Sequence, residues 1–263
     1  MERRNFLTSS LLAASTGALA AGQQTTEAKG REYYHLRRYR LRSGSQRKPA
    51  DGYFAEALVP ALNRMGIGPV GVFSVEIAAE VPSLYVLMPC TSVDTLVTVD
   101  QRLVRDAEYL KAGAAFLNAP GPAASCVSAE SSLMVAFEGR PRLTLPPATK
   151  EHRSRIFELR TYESPSDQYH KTKVEMFHNG EFEIFEKAGF WPVFYGDTLI
   201  GPRMPNLTYM LGYEDLTERG KRWNAFRVSP EWKQLSTASR FAIDDLVSNI
   251  SNPILSPKSY SQI

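Results

Sequence analysis

The chain has 263 residues, of which 43% are apolar and 22% are charged, and its formal net charge is +3. These values are ordinary for a globular protein, and the length suggests one large or two small domains. A charge of +3 spread over this length argues against a protein that binds nucleic acid through its phosphates, so we expect no nucleic-acid partner.

The N-terminus has the pattern of an export signal. Arg3-Arg4-Asn5-Phe6-Leu7 precedes a run of apolar and small residues from Leu11 to Ala21, and Ala18-Leu19-Ala20 fits a cleavage site. This run is too short for a membrane span, and paired arginines before Phe-Leu are typical of a twin-arginine signal. We therefore predict a signal peptide at residues 1–22 and a periplasmic or secreted mature protein without a membrane span. A retained anchor or a disordered cytoplasmic tail is the alternative.

The rest of the chain contains an internal repeat. Residues 33–126 align with residues 156–249 at a constant offset of 123 residues and without a gap. The matches include Leu36-Arg37 on Leu159-Arg160, Tyr39 on Tyr162, Phe54 on Phe177, Gly66 on Gly189 and Pro69-Val70 on Pro192-Val193. This register predicts a first domain at 31–138, a linker rich in proline and basic residues at 139–154, and a second domain at 155–263.

Cys90 and Cys126 lie in the first domain, at a spacing that does not indicate a metal site. The two thiols could pair in an oxidising compartment. A protein that folds in the cytoplasm before export does not normally depend on such a bond, so we predict free, half-buried thiols.

Each copy is predicted as strand, helix, strand, strand, helix, strand. In the second copy, alternation predicts a strand over Arg155–Tyr162, Ser166 or Asp167 can cap the next helix, and Gly189 suits its end. The later predicted elements are strands Trp191–Tyr195 and Leu207–Tyr213, helices from Leu216 to Arg227 and after the Ser229 cap, and a strand at Leu246–Ile250.

This element order predicts the fold class. It is an α+β protein of two tandem ferredoxin-like (βαββαβ) repeats, each with one antiparallel sheet covered by helices on one face. A single copy would expose its other, aromatic-rich sheet face to water. The two sheets are therefore predicted to pack face to face as a pseudo-dimeric α/β barrel.

The second copy resembles a NIPSNAP domain over Ile156–Ile254. The residues that carry the likeness include Phe157-Glu158-Leu159-Arg160-Thr161-Tyr162, Glu186-Lys187-Ala188-Gly189, Tyr213-Glu214-Asp215-Leu216, Arg219, Trp223, Ser229-Pro230-Glu231-Trp232 and Asn252-Pro253-Ile254-Leu255. The first copy is a degenerate relative, with Asp100 and Tyr109 where the second has Trp223 and Trp232. The resemblance implies the dimeric α/β-barrel kind of ferredoxin-like fold. It does not imply a reaction, because the family has no well-defined biochemistry.

Alternation along the first strand of each copy predicts a ligand cavity between the repeats. If Leu36, Phe157 and Leu159 face the helices, their polar neighbours face inward. Buried charges need partners, so Glu158 should pair with Arg160, or either with Arg37 across the two halves. The predicted cavity residues are His35, Arg37, Tyr39, Glu158, Arg160, Tyr162, Tyr195, Tyr209 and Tyr213. A purely structural network is the alternative interpretation.

His178 is the best candidate for acid–base chemistry, with Glu181 three residues later to orient it. The Asn179-Gly180 pair tends to break a helix, so a histidine on a helix surface is the alternative. Gly66-Ile67-Gly68-Pro69-Val70-Gly71 has the spelling of a dinucleotide fingerprint but should end a helix and open a strand, the wrong context for that site. The four histidines have no ligand spacing, so no dedicated metal site is expected.

Three hypotheses for the function follow. The first is an exported protein that binds a small, partly apolar molecule between its two repeats, without a cofactor. The second is a cofactor-independent or haem-using enzyme like the monooxygenases of the dimeric α/β-barrel superfamily, with His178 or His35 as base or axial ligand. The third is an oligomeric scaffold that assembles through open sheet edges, and a homo-oligomer is compatible with all three.

Overall fold

The computed structural model describes residues 30–42, 47–78, 82–151 and 153–263. The signal peptide predicted at residues 1–22 lies outside these ranges, and so does His152. Within them, no helix combines the length and the apolar character needed to cross a membrane.

Nine strands lie in the described part of the chain, and all their pairings are antiparallel. In chain order they are β1 (Tyr33–Leu41), β2 (Gly71–Ile77), β3 (Ser83–Cys90), β4 (Cys126–Ala136), β5 (Ile156–Glu163), β6 (Trp191–Ile200), β7 (Asn206–Tyr213), β8 (Asn249–Ser251) and β9 (Ile254–Pro257). The last predicted strand, Leu246–Ile250, overlaps only β8, because Leu246 still belongs to a helix, and β9 follows after Asn252-Pro253.

The helices lie between these strands. In chain order they are α1 (Arg47–Gly52), α2 (Val59–Arg64), α3 (Val93–Val97), α4 (Val99–Leu103), α5 (Ala107–Ala112), α6 (Ala114–Leu117), α7 (Pro147–Lys150), α8 (Asp167–Met176), α9 (Phe182–Lys187), α10 (Leu216–Val228), α11 (Pro230–Thr237) and α12 (Ile243–Leu246). A π-helical turn joins α1 to α2 at Tyr53–Leu58, and another joins α8 to α9 at Phe177–Glu181.

The capping residues and glycines predicted from the sequence do lie at helix ends. The Ser166 hydroxyl caps α8 by accepting from the Tyr169 N–H, and the Ser229 hydroxyl caps α11 by accepting from the Trp232 N–H. Gly189 has φ +79°, the left-handed conformation expected after a helix. Gly66 also has a positive φ after α2, and Gly71 begins β2, so the Gly-rich stretch at 66–71 ends a helix and opens a strand.

The sheet closes on itself. Its strands follow the order β7-β6-β4-β1-β3-β2-β9-β5-β8, and β5 also pairs with β7 along its whole length, from Ile156 opposite Tyr213 to Glu163 opposite Asn206. Eight strands therefore form a closed antiparallel barrel, and the short β8 lies beside β5. The prediction of an α+β fold with an antiparallel barrel is confirmed.

The two parts of the chain contribute neighbouring blocks of this barrel. The first supplies β4-β1-β3-β2 and the second supplies β9-β5-β7-β6. The blocks meet at two seams, where β4 pairs with β6 and β2 pairs with β9. Cys90 and Cys126 are opposite the two ends of β1 and are free, partly buried thiols, as predicted.

The barrel interior is an apolar core that both parts of the chain fill. Leu36 and Phe73 from the first part pack there with Phe157 and Leu159 from the second. The Phe73 and Phe157 rings lie 5.1 Å apart, edge to face. Two further cores lie between the barrel wall and the helices, one for each half.

The predicted orientation of the first strands was wrong. Leu36, Phe157 and Leu159 point into the barrel, whereas Glu158 and Arg160 point toward the helices. Alternation separates the two faces of a strand but does not say which face is enclosed. In a closed barrel both faces are buried, and the charged side chains lie on the side where helices offer hydrogen-bond partners.

Candidate functional site

Glu158 is the centre of a buried polar network between β5 and α10. Its side chain is fully buried, and each carboxylate oxygen accepts three hydrogen bonds. Oε1 accepts from Arg160 Nη1 at 2.7 Å, Arg219 Nη2 at 2.6 Å and Asn252 Nδ2 at 3.2 Å, and Oε2 accepts from Trp223 Nε1 at 2.8 Å, Tyr213 Oη at 3.0 Å and Arg219 Nε at 3.0 Å.

This environment keeps Glu158 ionised at neutral pH. Burial alone would raise the pKa of Glu158, but the hydrogen bonds from Arg219 and the charge of Arg160 outweigh it and lower the pKa to about 2. The predicted Glu158–Arg160 ion pair is confirmed. A carboxylate whose acceptor positions are all used by protein donors cannot also take a proton from a substrate, so the network is structural in character.

The tyrosines predicted to line a cavity pack around Arg160 instead. Its guanidinium donates to Tyr209 Oη at 2.8 Å and to Tyr162 Oη at 3.0 Å, and it lies 4.3 Å from the Trp223 ring. Tyr195 stacks on Tyr209, with ring centroids 5.5 Å apart. The structure thus brings together the predicted residues of the second half, but on the helix side of the sheet and in a packed core rather than between the repeats.

His35, Arg37 and Tyr39 form a separate group on the helix side of the first half. Both terminal nitrogens of Arg37 donate to the carboxylate of Asp100, each at 3.0 Å, and Nη1 also lies 3.3 Å from Tyr39 Oη. The predicted contact of Arg37 with Glu158 or Arg160 across the two halves is therefore wrong, because Asp100 on α4 is its partner.

His178 is held by the backbone rather than by Glu181. Its Nε2 accepts from the Gly139 N–H at 3.0 Å, so Nδ1 carries the proton and donates to the Val174 carbonyl at 2.9 Å. Glu181 instead forms a buried ion pair with Lys173. The prediction that Glu181 orients His178 is wrong, because the helix changes to a π-helical turn at this point and Gly180 has φ +128°. Both ring nitrogens of His178 are occupied, which fits a structural role.

A buried ion pair and a partly buried histidine–aspartate contact were missed by the sequence analysis. Lys173 of α8 and Glu181 are both almost completely buried, and His170 Nε2 lies 2.7 Å from Asp197 Oδ1 of β6. Lys173 and His170 belong to a polar stretch that looks like an exposed helix face, so no local pattern distinguishes them. Among the described residues, no group of three or more His, Cys, Asp or Glu side chains could hold a metal ion.

One end of the barrel opens into a cleft between the two halves, which we call the barrel mouth. The cleft has a volume of about 410 Å³ and is lined by Arg38, Val75, Ala78, Tyr85, Glu130, Pro202, Arg203, Ser251 and Pro253. A narrower extension reaches inward to Leu36 and Leu159, past Thr161 and Thr208, whose hydroxyls are 2.9 Å apart. The inward-facing side chains therefore change from apolar to polar toward this end of the barrel.

Charged side chains surround the barrel mouth. Arg38 and Glu130 of the first half lie 3.7 Å apart, and Arg203 of the second half donates to Glu163 at 3.0 Å. Arg203 has φ +58°, a conformation that is uncommon for a residue with a side chain. The Asn206 amide donates to the carbonyls of Pro202 and Arg203, which holds the turn in this shape.

Comparison with known proteins agrees with this architecture. The chain is similar over 87% of its length to 93% of a candidate monooxygenase from Fusobacterium nucleatum, at 10% identity and a TM-score of 0.55. A candidate monooxygenase from Lactobacillus acidophilus gives 6% identity and a TM-score of 0.55, with 86% of this chain and 94% of that chain covered. At these identities the likeness shows the barrel fold alone.

Two further comparisons concern the NIPSNAP family. The chain is 27% identical to a NIPSNAP-like domain protein from Burkholderia xenovorans, over 42% of this chain and 90% of that chain, with a TM-score of 0.38. None of the curated proteins matches the chain. The sequence model of the NIPSNAP family matches residues 157–262, which confirms the resemblance drawn from the sequence. The chain therefore carries a NIPSNAP domain over residues 157–262.

Proposed function

We propose that this protein binds a small, partly apolar molecule at the barrel mouth, between its two halves. The observation that carries the proposal is the change of lining along the barrel axis, from the apolar Leu36 and Leu159 to the polar rim of Arg38, Glu130 and Arg203. Ligand pockets in proteins commonly combine an apolar wall with a few placed polar groups and measure about 300–1,000 Å³. The volume of about 410 Å³ lies in that range.

The two halves are best explained as a fused pair of ferredoxin-like repeats. Each half places its first strand in the middle of its block, as β1 does in β4-β1-β3-β2 and β5 in β9-β5-β7-β6. In this proposal the duplication builds the barrel, and the barrel mouth exists only where the two repeats meet.

The turn that carries Arg203 supports a binding role. A left-handed arginine costs conformational energy, and such strain persists where the surrounding contacts impose it. Here Asn206, which is 3% exposed, imposes it through two hydrogen bonds to the turn backbone. The turn places the Arg203 guanidinium at the rim beside Glu163, half exposed, where its remaining donors can receive an anionic or strongly polar group of a ligand.

The test is a fluorescence titration with 1-anilinonaphthalene-8-sulfonate, an anionic and partly apolar probe. We expect saturable one-to-one binding that weakens roughly tenfold in Arg203→Ala, the loss expected for a charge-assisted hydrogen bond. Arg153→Ala is the matched control, because Arg153 is 51% exposed and paired with Glu151, much as Arg203 is 49% exposed and paired with Glu163. Equal affinities for the wild type and Arg203→Ala would refute the barrel mouth as the site.

A monooxygenase-like enzyme is the second candidate. It needs a base that faces a pocket, and His178 does not qualify because both of its ring nitrogens are bound to the backbone. His35 does line a pocket, in the first half, and this is the observation that favours an enzyme. Oxygen uptake with phenolic substrates that is lost in His35→Phe would support the enzyme, and no uptake with any of them would remove this candidate.

Two hypotheses remain, assembly through sheet edges and export by the twin-arginine route. Assembly through open sheet edges has less support, because the β5–β7 pairing closes the eight-strand barrel and the short β8 lies outside it. Export by the twin-arginine route is part of the proposed function. It predicts that replacing Arg3 and Arg4 by lysine leaves an uncleaved precursor in the cytoplasm, and normal export of this variant would contradict it.

A further inference from the structure

The two halves differ most at one pair of corresponding positions on their first strands. At the offset of 123 residues, His35 of β1 corresponds to Glu158 of β5. The helix residues that cover Glu158, namely Arg219 and Trp223, correspond to Leu96 and Asp100. Leu96 and Asp100 are shorter than Arg219 and Trp223. They therefore leave a space above His35 that is filled above Glu158 in the second half.

That space is a pocket of about 210 Å³ between the sheet and helices α3 and α4. Most of its wall is apolar and includes Leu96, Val97 and Leu133. Ile200 of β6 also lines it, so the pocket lies at the seam where β4 of the first half pairs with the second half. A cavity of roughly 150 Å³ is known to hold a benzene molecule, so the pocket has room for one six-membered ring and a substituent.

His35 is the polar group set into this wall. It is 9% exposed and lines the pocket together with Leu96 and Asp100. Burial, with the nearby charge of Arg37, lowers the pKa of His35 to about 4, so the ring is neutral at neutral pH. A neutral imidazole that donates from one nitrogen presents a lone pair at the other. The imidazole can therefore accept a hydrogen bond from a molecule in the pocket.

The charges around the pocket determine which ligand suits this acceptor. Asp100 lines the pocket and is 68% exposed, while Arg37, which would attract an anion, is tied to Asp100 by two hydrogen bonds. The paired Arg37 and Asp100 leave the pocket lining without an uncompensated cation for an anionic ligand, and an imidazole acceptor favours a neutral hydrogen-bond donor. An apolar ring that carries a hydroxyl meets both conditions.

We propose that the pocket above His35 is a second binding site, which takes a neutral single-ring molecule of the phenol class whose hydroxyl donates to His35. The site is independent of the barrel mouth. It assigns a function to the half of the chain that the NIPSNAP family model does not cover. In the second half, Glu158 and its hydrogen-bond donors fill the corresponding space.

The test compares 4-fluorophenol with fluorobenzene by fluorine NMR, because these probes differ only in the hydroxyl. We expect 4-fluorophenol to bind roughly tenfold or more tightly than fluorobenzene, the difference that one buried hydrogen bond makes. In His35→Phe this difference should disappear, whereas His35→Gln, which keeps an acceptor, should retain part of it. Equal binding of the two probes to the wild type, or no binding of either, would overturn the proposal.

Two further variants test whether 4-fluorophenol binds in the pocket above His35 or elsewhere. Val97→Trp blocks the pocket from an exposed position without touching His35, since Val97 is 56% exposed, and it should abolish binding of 4-fluorophenol in a protein that still folds. Arg203→Ala, at the barrel mouth, should leave 4-fluorophenol binding unchanged. Retained binding in Val97→Trp, or loss of binding in Arg203→Ala, would place the probe elsewhere and refute the site.

Discussion

At the scale of single residues, Glu158 shows how a buried charge can be structural. It accepts six hydrogen bonds and neutralises part of the charge of two arginines, Arg160 and Arg219. Removing one partner of a buried ion pair lowers the free energy of unfolding by much more than the intact pair raises it. The reason is that the other partner stays buried without a counter-charge. The stability of the second half therefore depends on this one carboxylate.

Glu158→Gln should lower the free energy of unfolding by about 3–5 kcal/mol, since Arg160 then lacks a buried counter-charge. Chemical denaturation monitored by tryptophan fluorescence measures this change. Glu130→Gln is the control, because Glu130 is 52% exposed and lies 3.7 Å from Arg38, and its loss should cost less than about 1 kcal/mol. If both substitutions lowered the free energy of unfolding by similar amounts, the Glu158 network would not be the stabilising feature described above.

The pKa of Glu158 also predicts an acid-sensitive contribution to stability. The carboxyl has a pKa of about 2 in the folded protein and about 4.5 when unfolded, so its stabilising effect is complete above pH 4.5 and is lost as the pH falls toward 2. The full contribution is about 3 kcal/mol. We expect the difference in unfolding free energy between the wild type and Glu158→Gln to be constant from pH 7 to 5 and to shrink below pH 4.5. A difference that does not change with pH would be inconsistent with a titrating Glu158.

At the scale of elements, the turn between β6 and β7 combines strain with exposure. Arg203 has φ +58° and is held there by Asn206. Glycine adopts this conformation without the steric cost that a side chain brings. The strain belongs to the turn itself and does not depend on the charge of the residue.

Arg203→Gly should therefore be more stable than Arg203→Ala by about 1 kcal/mol, since both remove the charge but only glycine relieves the strain. Thermal unfolding of the two variants gives the comparison directly. The ligand affinity of both should fall alike, because neither has a guanidinium. A glycine variant that is less stable than the alanine variant would mean that the turn is not strained.

The elements themselves could largely be predicted from the sequence. The alternation of Phe157, Glu158, Leu159 and Arg160 identified the strand, and Ser229-Pro230-Glu231 identified the start of α11, because these signals are local. The face on which Glu158 lies could not be predicted. It depends on Arg219 and Trp223, which are 61 and 65 residues away in the chain, and no local pattern shows that they converge on it.

The same reasoning explains the result for the candidate sites. The repeat register pairs His35 with Glu158, but only the packing shows that His35 lines a pocket and that Glu158 has all its acceptor positions filled. The barrel mouth was missed because its rim combines residues from both halves, such as Arg38 and Arg203, with no spacing that connects them.

At the scale of the whole molecule, the two halves share one interior core. Phe73 packs on Phe157, and Tyr34 packs on Phe194 at 4.9 Å, so each half supplies the surface that covers the other. A half that stands alone would expose this apolar face to water, which small domains rarely tolerate. Neither half should be a stable monomer.

Residues 30–138 and 155–263, expressed separately, should therefore aggregate or self-associate, and together they should form a one-to-one complex. Size-exclusion chromatography with light scattering distinguishes these outcomes. The intact chain should unfold in one transition, because the shared core couples the halves. A monomeric, folded 155–263 fragment would show that the interior core is not needed.

The central claim is that the barrel mouth holds a ligand, and native mass spectrometry tests it most directly. Protein purified from its host without refolding should carry one small-molecule adduct per chain, and Arg203→Ala prepared in the same way should have lost most of it. Arg153→Ala should keep the adduct. An adduct that persists in Arg203→Ala, or a chain that carries none when purified under the mildest conditions, would contradict the account.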